Sequence, residues 1–230
     1  MDAVLDNLDL YFKAFGYTVA LFLVSGVTSM ILGTLLAAFR VGPVPVLRWA
    51  TSVYVTLVRN TPLVIVFAAF SFMAPMLWGP LNFRWLSVHI GGFDFTAFFA
   101  AAVVSLSLYT SSFVCEALRS GVNAVSVGQA EAARAIGLPF SGVMSQVVLP
   151  QAFRASVPPL ASVQIALIKN TSVAAVFGVA EATSQMRSIT NDFSSQRTEI
   201  FIAFAIGYVV IVEVFSFFAA RLESHWRVAR

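Results

Sequence analysis

Five apolar runs of about twenty residues divide this sequence, at 17–39, 50–73, 95–115, 156–180 and 200–220. A helix needs ~20 mostly apolar residues to cross the hydrocarbon of a bilayer, and within it every backbone polar group is paired without water. The first and third runs carry no charge; Arg59 and Pro62 interrupt the second, Lys169 lies in the fourth, and Glu213 sits near the end of the fifth. Of the 230 residues 59% are hydrophobic and 11% charged, whereas a soluble domain carries roughly a quarter charged residues. The expectation is an all-α membrane protein with five transmembrane helices in one domain, 1–230. The single cysteine, Cys115, excludes a disulfide framework. Asp2, Asp6 and Asp9 stand where a signal peptide would be basic, so no cleavage is expected.

Five spans place the termini on opposite sides, and loop Lys and Arg mark the cytoplasmic one. With the C-terminus inside, Arg40, Arg48, Arg119, Arg134, Arg154, Arg221, Arg227 and Arg230 face the cytoplasm, while Lys13, Arg84, Arg187 and Arg197 lie outside. The bias favours an outside N-terminus and a cytoplasmic C-terminus. Asp94, Glu181, Asp192 and Glu199 then fall outside, and 75–94 becomes a turn-rich external loop with Trp78 and Trp85 at interfacial depth. Trp49 and Trp226 suit the inner interface. The net charge of +3 thus reads as membrane orientation, and no nucleic-acid partner is expected.

One long cytoplasmic connection remains, 119–155. Ser126 with Gln129 three residues later is a capping-box signal, Ala130, Ala132, Ala133 and Ala135 favour helix, and Glu131 is placed in the first turn. Gly137 and Pro139 stop that helix. A second helix is expected from about 141 to 149, ending at Pro150.

Glu131-Ala132-Ala133, then Gly137 after three residues, then Val147 and Leu149-Pro150, resembles the EAA loop of ABC importer permeases, with Val147 where the family usually has isoleucine. Together with Gly128-Gln129, Gln151-Ala152-Phe153-Arg154, Arg59-Asn60-Thr61-Pro62 and Lys169-Asn170-Thr171-Ser172, the chain resembles the polar amino-acid permeases, most nearly their glutamate branch, over about 15–220. The resemblance implies a type I ABC importer permease fold in a bacterial plasma membrane, and a chain that performs no chemistry. It implies that the loop helix docks on a separate ATPase, with Glu131, Ala132, Ala133 and Gly137 as docking residues. Two ATPase subunits, a second permease, identical or related, and an external solute-binding protein would complete the assembly. ATP and Mg would sit on the ATPase, leaving this chain without a cofactor. The substrate would be a polar amino acid, glutamate first.

Ionisable residues inside spans are costly and mark interiors or wet cavities. The windows 59–67 and 169–177 are identical or similar at six of nine positions, which suggests related segments. Counted from the cytoplasmic starts of their spans, both Arg59 and Lys169 are expected near the midplane. Pro62 frees carbonyls there, and broken helices with polar side chains mark substrate paths in transporters. Arg59, Asn60, Thr61, Lys169, Asn170, Thr171 and Ser172 are therefore candidate substrate-binding residues, one cation meeting a substrate carboxylate. The alternative is that Glu116, Glu213 or freed carbonyls neutralise the cations within the fold. Glu116 and Arg119 are spaced for an i, i+3 ion pair. His89 and His225 lack ligand-spaced companions, so no metal site is expected. No phosphate-binding loop and no hydrolase motif occurs. A stand-alone secondary carrier or channel subunit is the rival reading.

Overall fold

The computed structural model describes residues 2–226; Arg227 and Arg230 of the orientation count lie outside the described residues. Helix α1 (Leu8–Val41) buries Leu21, Ser25 and Ser29 but exposes Leu23, Val27, Ile31 and Leu35. A helix apolar on every side has hydrocarbon against its outer face. Helix α4 (Ala97–Asn123) starts at Thr96, whose hydroxyl accepts from Phe99 N, and packs along α1 and against α6. Helix α8 (Arg197–Trp226) exposes Phe201, Ile206, Val210, Val214 and Phe218, a second lipid-suited surface.

Four described helices are long and apolar enough to span, namely α1, α4, α6 (Phe140–Phe177) and the apolar body of α8; a bent pair makes the fifth span when counted as one. That pair is α2 (Pro45–Asn60) and α3 (Leu63–Leu77), which meet at 106°. The expected run 50–73 is therefore two helices. Pro62 disfavours helical geometry in the residue before it, and Thr61 is extended at φ −93°, ψ 129°. The Thr61 hydroxyl donates to Leu57 O at 2.8 Å, occupying a carbonyl near the break. A π-helical turn, Ala69–Met73, interrupts α3.

The 75–94 connection is less irregular than expected. It ends in an antiparallel hairpin, β1 (Val88–Ile90) and β2 (Phe93–Phe95), turned by Gly91-Gly92 with φ of 57° and 82°. Two consecutive positive φ angles are what a tight hairpin turn demands. Tyr17 of α1 fastens the hairpin, its hydroxyl accepting from Asp94 N at 2.8 Å.

Pro150 does not end a helix. Helix α6 runs through it, with a π-helical stretch at Val143–Val148 directly upstream and a 3-10 stretch at Thr171–Phe177 downstream. A proline ring clashes with the carbonyl four residues back, and widening the preceding turns to π register makes room for it. The Gln151 side-chain amide donates to Val147 O at 2.9 Å within the same stretch. The helix that holds the expected fourth span therefore begins well before 156, and the non-helical part of the connection contracts to 124–139 around the short helix α5 (Val127–Ala135).

The main core joins α1, α3, α4 and α6 through Tyr17, Leu21, Phe67, Phe99, Leu106, Leu167 and Phe177. Small residues bring the helices together. A Cβ on Gly33 would stand 2.5 Å from Val114 Cβ, and one on Gly121 would stand 2.4 Å from Ala152 O. Buried Ser105, Ser111, Ser112 and Ser156 return their hydroxyls to carbonyls of their own helices, which leaves thin, satisfied faces for close packing.

Glu181 is fully buried rather than lying in an exposed outer loop. It caps α7 (Ala182–Asp192) by accepting from Ser184 N at 2.9 Å, and takes the Tyr208 hydroxyl of α8 at 2.8 Å. Burial pushes its carboxyl above the usual range, against the lowering effect of these bonds and of Arg187. An acid raised in the fold holds its proton longer there than when unfolded, so its stability contribution is full below the unfolded pKa and falls as pH rises through the folded one.

Two outcomes follow from this packing. Gly121→Ala gains helix propensity but meets the Ala152 carbonyl, so a net loss of about 1–3 kcal/mol is expected, read as a lower thermal midpoint in detergent. Glu181→Gln keeps an acceptor for Ser184 N and removes the buried charge. It is expected to raise the midpoint at neutral pH and to flatten the decline with rising pH in a thermal-shift series.

Candidate functional site

Helix α5 is exposed along one side and seated along the other. Glu131, Ala132 and Gly137 face outward, as do Val127, Ile136 and Phe140, whereas Ala133 is buried on Val143 and Val148 of α6. The structure thus separates the four loop residues singled out by sequence, putting three on the free face and Ala133 in the seat. Ser126 is the N-cap, but its side chain makes no capping bond. Glu131 is the fifth residue of the helix rather than part of its first turn, because the helix begins at Val127.

The far end of α5 closes in a Schellman motif. Gly137 N donates to Arg134 O at 2.9 Å and Leu138 N to Ala133 O at 3.2 Å, with Gly137 at φ 87°. Leu138 packs against the cluster that buries Ala133, the apolar contact that accompanies this motif. A Cβ at Gly137 would meet nothing within 4 Å, so backbone conformation alone requires glycine there.

The two similar windows meet in space. Each lies where a helix changes form, at the 106° break after Asn60 and at the change to 3-10 geometry after Asn170. Their last residues, Phe67 and Phe177, stack at 5.2 Å with an interplanar angle of 25°. Thr171 is buried and bonds Ile168 O, while the Ser172 hydroxyl donates to Lys169 O, both at 2.7 Å. Their hydroxyls are thus engaged within α6. Asn60 and Lys169 are exposed, and among the described residues Lys169 has no ion-pair partner.

Asn170 is half-buried at a groove of about 360 Å³ between α4 and α6, shared with Tyr109, Thr110, Phe113 and Ser162. Thr110 Oγ1 is buried and unpaired among the described residues. The Arg59 guanidinium rests over the Phe113 ring, 5.3 Å from its centroid.

Arg59 belongs to a charge cluster. Its Nη1 lies 3.6 Å from Glu116 Oε1, the oxygen that also binds Arg40, one residue from the end of α1. Tyr54 and Arg59 of α2 both meet α4 within the short stretch 108–116. Glu116 takes Arg119 as well, on Oε2 from Nε at 3.0 Å and Nη2 at 2.9 Å. Three guanidinium groups surround one carboxylate. Spacing along α4 revealed only the Arg119 pair; Arg40 and Arg59 come from other helices. Glu213 is exposed and takes no part in this cluster.

Residues 29–228 match the family described as the binding-protein-dependent transport system inner membrane component. The chain is 42% identical over 203 residues to the glutamate transport system permease protein GluC of Corynebacterium efficiens, covering 86% of each. It is 29% identical over 199 residues to the glutamate/aspartate import permease protein GltJ of Escherichia coli, covering 86% of this chain and 80% of that one. A crystal structure of an amino acid ABC transporter with histidines superposes with a TM-score of 0.82 at 25% identity, over 96% of both chains. An inward-facing MetNI methionine ABC transporter shares the fold at 18% identity, with a TM-score of 0.73 over 97% of this chain and 99% of that one.

Because only conformation constrains Gly137, Gly137→Val is expected to loosen the end of α5 by about 1–2 kcal/mol and Gly137→Asn by less. Faster amide hydrogen exchange at Leu138, graded in that order, is the measurement.

Proposed function

The chain belongs to the family of binding-protein-dependent transport system inner membrane components, and on that premise we propose that it carries glutamate through the membrane under the drive of a separate ATPase. At the coarser level it is a multi-pass permease of an amino-acid ABC importer in the bacterial plasma membrane, with the type I importer fold and no enzymatic activity of its own. Glutamate as substrate draws support from the GluC relatives.

The free face and buried seat of α5 carry this reading. Glu131, Ala132 and Gly137 present a carboxylate and little bulk, suited to close seating against an ATPase that holds ATP and Mg. Ala133 ties that contact to α6, so a push on α5 reaches the π-helical stretch at Val143–Val148. Such stretches are local weak points where a helix changes register. Beyond it, α6 carries Lys169 and Asn170. Arg59 or Lys169 supplies positive potential for the substrate carboxylate, with Asn60 and Asn170 as hydrogen-bonding neighbours. Thr61, Thr171 and Ser172 hold the helix ends that present them.

The N-terminus is outside and the C-terminus cytoplasmic, which puts α5 on the ATPase side. One domain spans 1–230. A second permease, identical or related, two ATPase subunits and an external solute-binding protein complete the transporter, since five spans enclose too little of a pathway alone. Proteoliposomes holding the full assembly are expected to take up radiolabelled glutamate only with ATP, and this chain alone to take up none. Glu131→Arg is expected to cut uptake at least about tenfold, the cost of an opposed charge of ~1.4 kcal/mol or more, while leaving insertion unchanged. Uptake by the isolated chain would favour a stand-alone carrier.

A further inference from the structure

On the reading that Arg59 meets a substrate carboxylate, we propose that Glu116 is the built-in competitor of that carboxylate. It holds Arg59 while the groove is empty and yields it when an amino acid arrives.

The cluster is unbalanced. Arg40, Arg59 and Arg119 bring three positive charges to one carboxylate, and uncompensated charge is costly in surroundings this apolar. A second carboxylate would relieve the surplus.

The three arginines are not held equally. Arg119 grips Oε2 with two nitrogens, two charge-assisted hydrogen bonds at 3.0 and 2.9 Å. Arg40 hydrogen-bonds Oε1 and is only 18% exposed. Arg59 is 42% exposed, and its 3.6 Å separation is too long for a hydrogen bond. Arg59 can therefore leave while both oxygens of Glu116 stay occupied. Its other neighbour is the face of Phe113, on the wall of the groove that holds Asn170 and the unpaired Thr110 hydroxyl. Phe113 therefore stands between the released guanidinium and that groove, one side chain away.

Release also has a mechanical consequence. Arg59 is the second residue before the 106° break and its ion pair ties the end of α2 to α4. Handing Arg59 to substrate unties that end, so arrival of cargo is converted into freedom of the α2–α3 corner.

The test is equilibrium binding of radiolabelled L-glutamate to the permease–ATPase complex in nanodiscs, without the solute-binding protein. Glu116→Gln is expected to tighten binding about two- to fivefold, the worth of a partly exposed ion pair. Glu116→Asp, which keeps the charge for Arg40 and Arg119 but falls short of Arg59, is expected to do the same should the glutamine variant fold poorly. Arg59→Met is expected to weaken binding, and adding Glu116→Gln to it to restore nothing. Weakened binding in Arg59→Met with no tightening in either Glu116 variant would overturn the competition and leave the substrate site standing. Tightening that persists without Arg59 would also overturn it. Unchanged binding in Arg59→Met would remove the substrate role of Arg59 and the competition with it.

Discussion

Close contact between α4 and its two neighbours is the constraint from which the remainder follows. Lipid offers no hydrophobic force to press helices together, so they associate by van der Waals contact where side chains are small enough. Gly33 lets α1 onto α4, and Gly121 lets α6 onto it from another side. Ser105, Ser112 and Ser156 close on their own carbonyls and ask nothing of the neighbouring helix, while Ser25 of α1 reaches across to Val103 O of α4. Bulky residues gather at the other end of the same helices, where Phe67, Phe99 and Phe177 fill the widening space.

With the bundle set, its two irregular segments acquire a meaning. Each follows a cation and an asparagine, and each ends in one of the phenylalanines that stack together. The irregularity comes from different causes: Pro62 bends one segment, while the other tightens into 3-10 turns after Asn170. The outcome is shared, for polar residues stand at helix ends bordering the α4–α6 groove. Asn170 lines it, and Arg59 of α2 lies over the ring of Phe113 on its wall.

The seat of α5 and the charge cluster share one scaffold. Ala133 binds α5 to the π-helical start of α6, and the far end of α6 carries Lys169 and Asn170. Glu116 gathers arginines from α1, α2 and α4 into a single knot on the other wall of the groove. Movement of α6 against α4 would change the distance between the two walls, which is the simplest physical link between the loop and the cargo.

Apolar run length by itself determined that the chain is a bundle of spanning helices, because runs of about twenty apolar residues fit a helix across hydrocarbon whereas a barrel strand needs about half that length. The loop motif and the two cations were equally legible, since they are local patterns of residue type. Legibility stopped where a residue's role depends on partners distant in sequence. Arg59 reads as a charge within a span with Glu116 among several candidate partners, and only the packing of α2 on α4 sets the guanidinium by Glu116 beside Arg40. Glu181 reads as a surface acid, yet α1, α7 and α8 close over it. Pro150 reads as a stop, but a π-helical turn absorbs it. Ala133 and Ala132 are indistinguishable as letters, and the tertiary structure assigned one to the seat and the other to the free face, because only packing decides which side of a short helix is covered.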